Sequence, residues 1–141
     1  MIPKRILVGH DGSQDADDAF DSALDFGALC GARLQVVSVA TLPEPPTRVE
    51  TEAAIEAATQ AYEDVFEGLR RRAKERGVDL ESRILVGHAA EQILRLAADT
   101  HADLIVVGHR GRSAIREWLF GSTSRRVVAH ATCSVLVVRP K

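Results

Sequence analysis

Short unbroken apolar runs recur along this chain, separated by longer stretches in which apolar residues return every three or four positions. That alternation restricts the fold more than any other feature. Lys4 to Gly9, with Ile6-Leu7-Val8 at its centre, Leu34 to Ala40, Asp79 to Val86, Ala102 to Gly108 and Ser134 to Arg139 read as strands. A strand apolar at successive positions is expected to be covered on both faces. Between them lie helical patterns. One follows Ser13, with Ala16, Ala19, Phe20, Ala23, Leu24, Gly27 and Cys30 on one side. A long one from about Glu50 to Arg76 carries Ala54, Ile55, Ala58, Tyr62, Val65, Phe66, Leu69 and Ala73 on one face and is stopped by Gly77. Shorter ones run from His88 to Thr100 and from Ser124 to Ala131. Five strands alternating with four helices imply an α/β fold, a doubly wound parallel sheet with right-handed crossovers and helices on both faces. No repeat or linker divides the chain, so residues 1–141 form one domain. Thr41 to Thr47, with Pro43, Pro45 and Pro46, reads as a loop.

Charge narrows the possible partners. The chain has 18 Lys and Arg against 20 Asp and Glu, a net charge of −2, which gives no general attraction to nucleic acid or a membrane surface. Any anion site must be local. Arg70-Arg71-Arg72 reads as the solvated basic end of the long helix, since no aromatics interleave with it. Cys30 and Cys133 are too few for a disulfide framework and read as small buried residues in a reducing compartment. With no apolar run long enough to span a bilayer and no signal-peptide pattern at MIPKRILVGHDGS, the expected location is the cytoplasm.

The stretch from Ala102 to Ser124, ADLIVVGHRGRSAIREWLFGSTS, is the hardest to explain by packing. A buried strand ends at Gly108, Gly111 follows, and after a spacer come Gly121, Ser122, Thr123 and Ser124 at the start of a helix followed by Arg125 and Arg126. Glycines let backbone N–H groups approach a ligand, and a helix start with hydroxyls and arginines favours phosphate. The other glycine-marked helix start, after Gly12, carries Asp15, Asp17 and Asp18, which would repel phosphate. The two familiar phosphate loops, GxxxxGK[ST] and GxGxxG with a distant acid, are absent.

Gly108-x2-Gly111-x9-Gly121-Ser122 resembles the nucleotide-binding signature of the universal stress protein family, in its UspA-like, ATP-binding branch. The resemblance extends from the first strand and Asp11-Gly12-Ser13 turn, through Ala102 to Gly108, to the closing strand. It implies a Rossmann-like fold, similar to the adenine nucleotide alpha hydrolases, with strand order 3-2-1-4-5, which alternation alone could not supply. In that order strands one and four border the switch point, where ligands bind outside the carboxyl ends. His10, Asp11 and Gly12 then face Gly108 to Ser113 across one crevice.

In that crevice Asp11 has two readings, a ligand to a ribose hydroxyl or Mg²⁺, or an Asx-type cap on its own turn. The resemblance implies that it contacts the nucleotide and that the backbone at Val39 meets the adenine edge. Gly108 and Gly111 would let the loop wrap the phosphates, Arg112 and Ser113 would donate from side chains, and Ser122, Thr123 and Ser124 would donate beyond Gly121. His10 and His109 could reach the same mouth, but a metal site would need a third ligand that the spacing does not supply. Trp118 and Phe120, where family members usually carry aliphatic residues, depart from the pattern. The expected cofactors are ATP, or AMP or ADP, with Mg²⁺. The chain lacks a Ser-His-Asp set, a P-loop lysine and kinase motifs, so it reads as a nucleotide-dependent stress sensor rather than an enzyme, with slow hydrolysis or self-phosphorylation left open. The alternative is a partner-binding domain whose crevice is empty or filled by Trp118 or Phe120. An adenylating or electron-transfer enzyme ranks last for want of a second substrate pocket. Val135 to Val138 would form an apolar sheet edge, expected to pair with its own copy in a homodimer.

Overall fold

A computed structural model describes residues 1–42, 47–110 and 121–140. The elements run β1 (Arg5–Gly9), α1 (Gln14–Cys30), β2 (Arg33–Ala40), α2 (Arg48–Glu75), β3 (Leu80–Val86), α3 (Ala89–Asp99), β4 (Leu104–Gly108), α4 (Ser122–His130) and β5 (Ser134–Val138). All the pairings are parallel, in the order β3-β2-β1-β4-β5. Successive side chains of a strand point to opposite faces, so each strand feeds two cores. Ile6, Val8, Val36 and Val106 pack with Phe20 of α1 and Phe66 and Leu69 of α2. Leu7, Val37, Ile105 and Val107 pack on the other side against Ile93 and Leu96 of α3 and Val127 of α4.

Local chemistry sets the helix ends. The Ser13 hydroxyl accepts from the Ala16 N–H, and Gly31 ends α1 at φ 68°, in the left-handed region. Helix α2 begins two residues before the expected Glu50, because Thr47 caps it by accepting from the Glu50 N–H. Helix α4 likewise starts at Ser122 rather than Ser124, directly after an extended Gly121.

Two readings of the sequence are corrected. The basic run at the end of α2 is not merely a solvated end. Asp17, Asp21 and Asp25 recur every four residues on α1, and Arg72 pairs with the first two while Arg76 pairs with the third. The Arg72 guanidinium also lies 5.1 Å from the centroid of the Phe20 ring, and Arg70 donates to Ser82 on β3. The arginines thus dock α2 on its neighbours. Cys30 and Cys133 are only partly buried, since each lies at the end of a packed face.

Candidate functional site

The crevice arises from the way two neighbouring strands part. β1 and β4 are in register from Ile6 opposite Leu104 to Val8 opposite Val106, and the Asp103 carboxylate secures their start by accepting from the Lys4 and Arg5 N–H groups. Beyond Val8 each strand turns toward its other neighbour. The His10 N–H donates to the Val37 carbonyl of β2, whereas the His109 N–H donates to the Val138 carbonyl of β5. The gap between them is the switch point at the carboxyl end of the sheet. His10, Asp11, Val39, Gly108 and Gly121 to Ser124 line it together. Gly111, Arg112 and Ser113 lie outside the described residues, as do Trp118 and Phe120.

On the β1 side the turn is satisfied by its own side chains. The Asp11 carboxylate accepts from the Ser13 N–H at 2.9 Å, the Asx-type role that was one of its two readings. His10 does the equivalent one residue earlier. Its Nδ1 accepts from the Gly12 N–H at 3.0 Å, and its Nε2 lies 3.1 Å from Asp17 Oδ1. With Nδ1 accepting, the proton sits on Nε2 and is donated to Asp17. The ring is 2% exposed, and although His10 lines the crevice both of its nitrogens are engaged within the turn and helix start. The Gly12, Ser13 and Ala16 amides all donate to side chains, and Asp15 and Asp17 in the first turn of α1 disfavour an anion there.

Burial lowers the His10 pKa below 6.5, against the opposing hydrogen bond and charge of Asp17. The unfolded chain therefore takes up this proton more readily than the folded one. Stability is unaffected by His10 above 6.5 and falls as pH drops from there through the folded value. Urea midpoints measured between about pH 7.5 and 5.5 should decline more steeply for the native chain than for His10→Asn. Parallel slopes would remove His10 as the cause.

On the β4 side the groups are arranged differently. Gly108 lies against α1: a Cβ there would meet the Asp15 carbonyl carbon and oxygen at 2.8 Å. The close approach that requires glycine is thus made by a helix. The Arg110 N–H donates to the nearly buried Asp15 carboxylate at 3.1 Å, and the Arg110 Nε lies 3.5 Å from the same oxygen. The buried Ser124 hydroxyl donates to the Gly108 carbonyl, so it joins the strand end to the helix instead of facing a ligand. Ser122 is exposed and Thr123 half-buried. Among the described residues no side chain caps α4, its first turn holds no acid, and Arg125 and Arg126 follow within it. Arginines near the positive end of a helix are unfavourable unless an anion sits there.

The rest of the lining includes an apolar group, Val39, Val107, Ala89 and Ile93, together with Tyr62 of α2. The periodicity of α2 placed Tyr62 only on its packed face. Nothing but its being the chain's single tyrosine set it apart. An apolar lining in the same crevice as the start of α4 suits a ligand with a flat apolar part and an anionic tail. Among the described residues no three His, Cys, Asp or Glu side chains form a metal site, and no helix is long and apolar enough to cross a membrane. A larger hollow, about 390 Å³ against about 100 Å³, opens at the amino ends of β1 to β3. It lies at the end of the sheet away from the switch point, with Arg5, Arg33, Asp79 and Glu81 among its lining.

Comparison with known proteins gives a consistent picture. The family model described as the universal stress protein family matches residues 3–139. A Staphylococcus saprophyticus relative assigned to the universal stress proteins is 34% identical over 139 residues, covering 96% of this chain and 83% of its own. Among solved structures, universal stress protein UspA from Lactobacillus plantarum has 27% identity and a TM-score of 0.84, with 96% of this chain and 97% of that one covered. A universal stress protein solved in complex with cAMP has 27% identity and a TM-score of 0.77 over the full length of both chains.

Proposed function

We propose that this chain, which belongs to the universal stress protein family, binds an adenine nucleotide, ATP foremost, in the crevice between β1 and β4 and acts as a nucleotide-dependent regulator of the stress response. The observation that carries this reading is the contrast between two helix starts. Ser13 caps α1 and Asp15 and Asp17 stand in its first turn, while among the described residues α4 begins with neither a side-chain cap nor an acid, close to the apolar part of the crevice lining. The phosphates would bind at Ser122 and Thr123, through main-chain N–H groups and the two hydroxyls, with Arg125 and Arg126 adding positive charge. The base would lie against Val39 and Tyr62, where the main chain of β2 runs past the end of β1. Likeness to a protein solved with cAMP supports the adenine preference.

Magnesium fits the same arrangement. It takes one or two carboxylates plus phosphate oxygens, and Asp11 is the carboxylate of the crevice mouth. Asp11 would hold Mg²⁺ together with the phosphates, and the ion would balance their charge. The chain's own residues bind and orient, and no nucleophile and base stand together in the crevice among the described residues. Slow hydrolysis, or phosphorylation of the exposed Ser122 hydroxyl, is the most chemistry this arrangement supports. The protein would act in the cytoplasm as a homodimer through β5, an edge strand whose Val135 to Val138 are only half-buried.

Isothermal titration tests the reading. ATP should bind with micromolar affinity, more tightly with Mg²⁺ than without. Light scattering at micromolar concentration should give twice the chain mass. Absence of any heat with ATP, ADP or AMP would favour the partner-binding alternative, and a monomer would remove the β5 interface.

A further inference from the structure

The turn at the end of β1 holds a device that neither the family signature nor the ligand chemistry calls for. His10 and Asp11 form two successive side-chain turns, each accepting from the main-chain N–H two residues on. Gly12 sits between them at φ 87°, a conformation that favours glycine. His10 is anchored through both its main chain and its ring. Its own carbonyl accepts from the buried Ser38 hydroxyl at 2.6 Å, its Nε2 reaches Asp17, and that same Asp17 oxygen accepts from Arg72 Nη1 at 3.3 Å. A run of bonds thus links Arg72 on α2, through Asp17 on α1 and the histidine, to the Gly12 amide.

We propose that His10 is a positioning residue for the nucleotide site: through its Nδ1 bond to the Gly12 amide it fixes the turn that carries Asp11 to the crevice, with Asp17 and Arg72 holding its ring. The proposal rests on the nucleotide reading given above, but its local part stands apart from it. A ring with one nitrogen accepting from the main chain and the other donating to a carboxylate has a single tautomer and a single orientation. The Gly12 N–H would otherwise need a new acceptor, and its turn would move with it. Asp11 is next in the chain, so its carboxylate depends on the angle at which β1 ends.

Two substitutions separate this role from others. His10→Asn keeps a side-chain oxygen able to accept from the N–H two residues on, and loses the ring. His10→Leu keeps apolar bulk and loses every acceptor. Mg-ATP affinity should fall about tenfold in His10→Leu and stay within about threefold of the native value in His10→Asn. Exchange of the Gly12 amide, followed by NMR without ligand, should quicken in His10→Leu and stay slow in His10→Asn. The ¹⁵N shifts of the native His10 ring should report a bare Nδ1 and a protonated Nε2. Equal loss of affinity in both variants would mean that the ring itself meets the ligand, and unchanged affinity in both would mean that the turn needs no such support. Either overturns the proposal. If the native chain binds no nucleotide, the Gly12 exchange still decides the local claim: equal protection in His10→Leu and the native chain overturns it, while selective loss sustains it and leaves the nucleotide reading to fall alone.

Discussion

Ser122→Asp is expected to lower Mg-ATP affinity about 100-fold while leaving the folded state as stable as before, or more so. Ser122 is exposed at the first position of α4, and no other acid shares that turn. A carboxylate there gains about 0.3–1 kcal/mol from the positive end of the helix. The same carboxylate meets the incoming phosphates. Two unit charges about 5 Å apart repel by roughly 3 kcal/mol at an effective dielectric of about 20, and Mg²⁺ and solvent reduce that to about 2–3 kcal/mol. About 2.7 kcal/mol corresponds to about 100-fold in affinity. Ser122→Asn, of similar size but neutral, should stay within a few-fold of native. Stability and affinity therefore move in opposite directions, which general damage to the fold would not produce. Titrations of the two variants and thermal melts of both decide it. An Asp variant that binds within about threefold of native would show that phosphate does not rest on α4.

Gly108→Ala is expected to destabilise the fold by about 3 kcal/mol, the upper end of the usual overpacking range. The added methyl would lie 2.8 Å from the main-chain carbonyl of Asp15 and 3.0 Å from its Cβ. No rotation of a side chain relieves a contact with helix backbone, so α1 itself must retreat. The retreat strains the Arg110 N–H bond to Asp15 and the core beneath Phe20. For a domain of this size the melting temperature should fall by roughly 10 °C. Gly9→Ala is the internal comparison. Its Cβ would approach Ile93 Cδ1 at 2.9 Å, but that is the tip of a flexible side chain, so a loss of about 1 kcal/mol is expected. Equal losses in the two variants would contradict this account of Gly108.

The sequence announced the elements and their order of appearance because both depend on local periodicity. Ile6 to Val8 and Leu104 to Val107 are apolar throughout, and Gly31 and Gly77 stand where the chain must leave a helix at positive φ. The strand order required the family resemblance, since the alternation is compatible with several. The site was legible as a place and less so as a set of roles. Gly108, taken as a gap for ligand, is a gap for a helix whose contact comes from Asp15, far away in the chain. Ser124 carries the same hydroxyl as Ser122, yet one faces the Gly108 carbonyl and the other solvent, a difference decided by helix phase. His10 was read as able to reach the mouth, and it does line the crevice, but its two ring nitrogens are taken by the Gly12 amide and Asp17, partners that strand and turn patterns do not announce. Tyr62 was hidden by its place on a packed helix face, and Arg72 by its place in a charge run whose partners lie on another helix.

Helix α1 departs from β1 and returns to β2, yet its first turn rests on β4, touching Gly108 and holding the Arg110 amide. One crossover thereby ties together the two strands that part at the seam where the sheet changes direction.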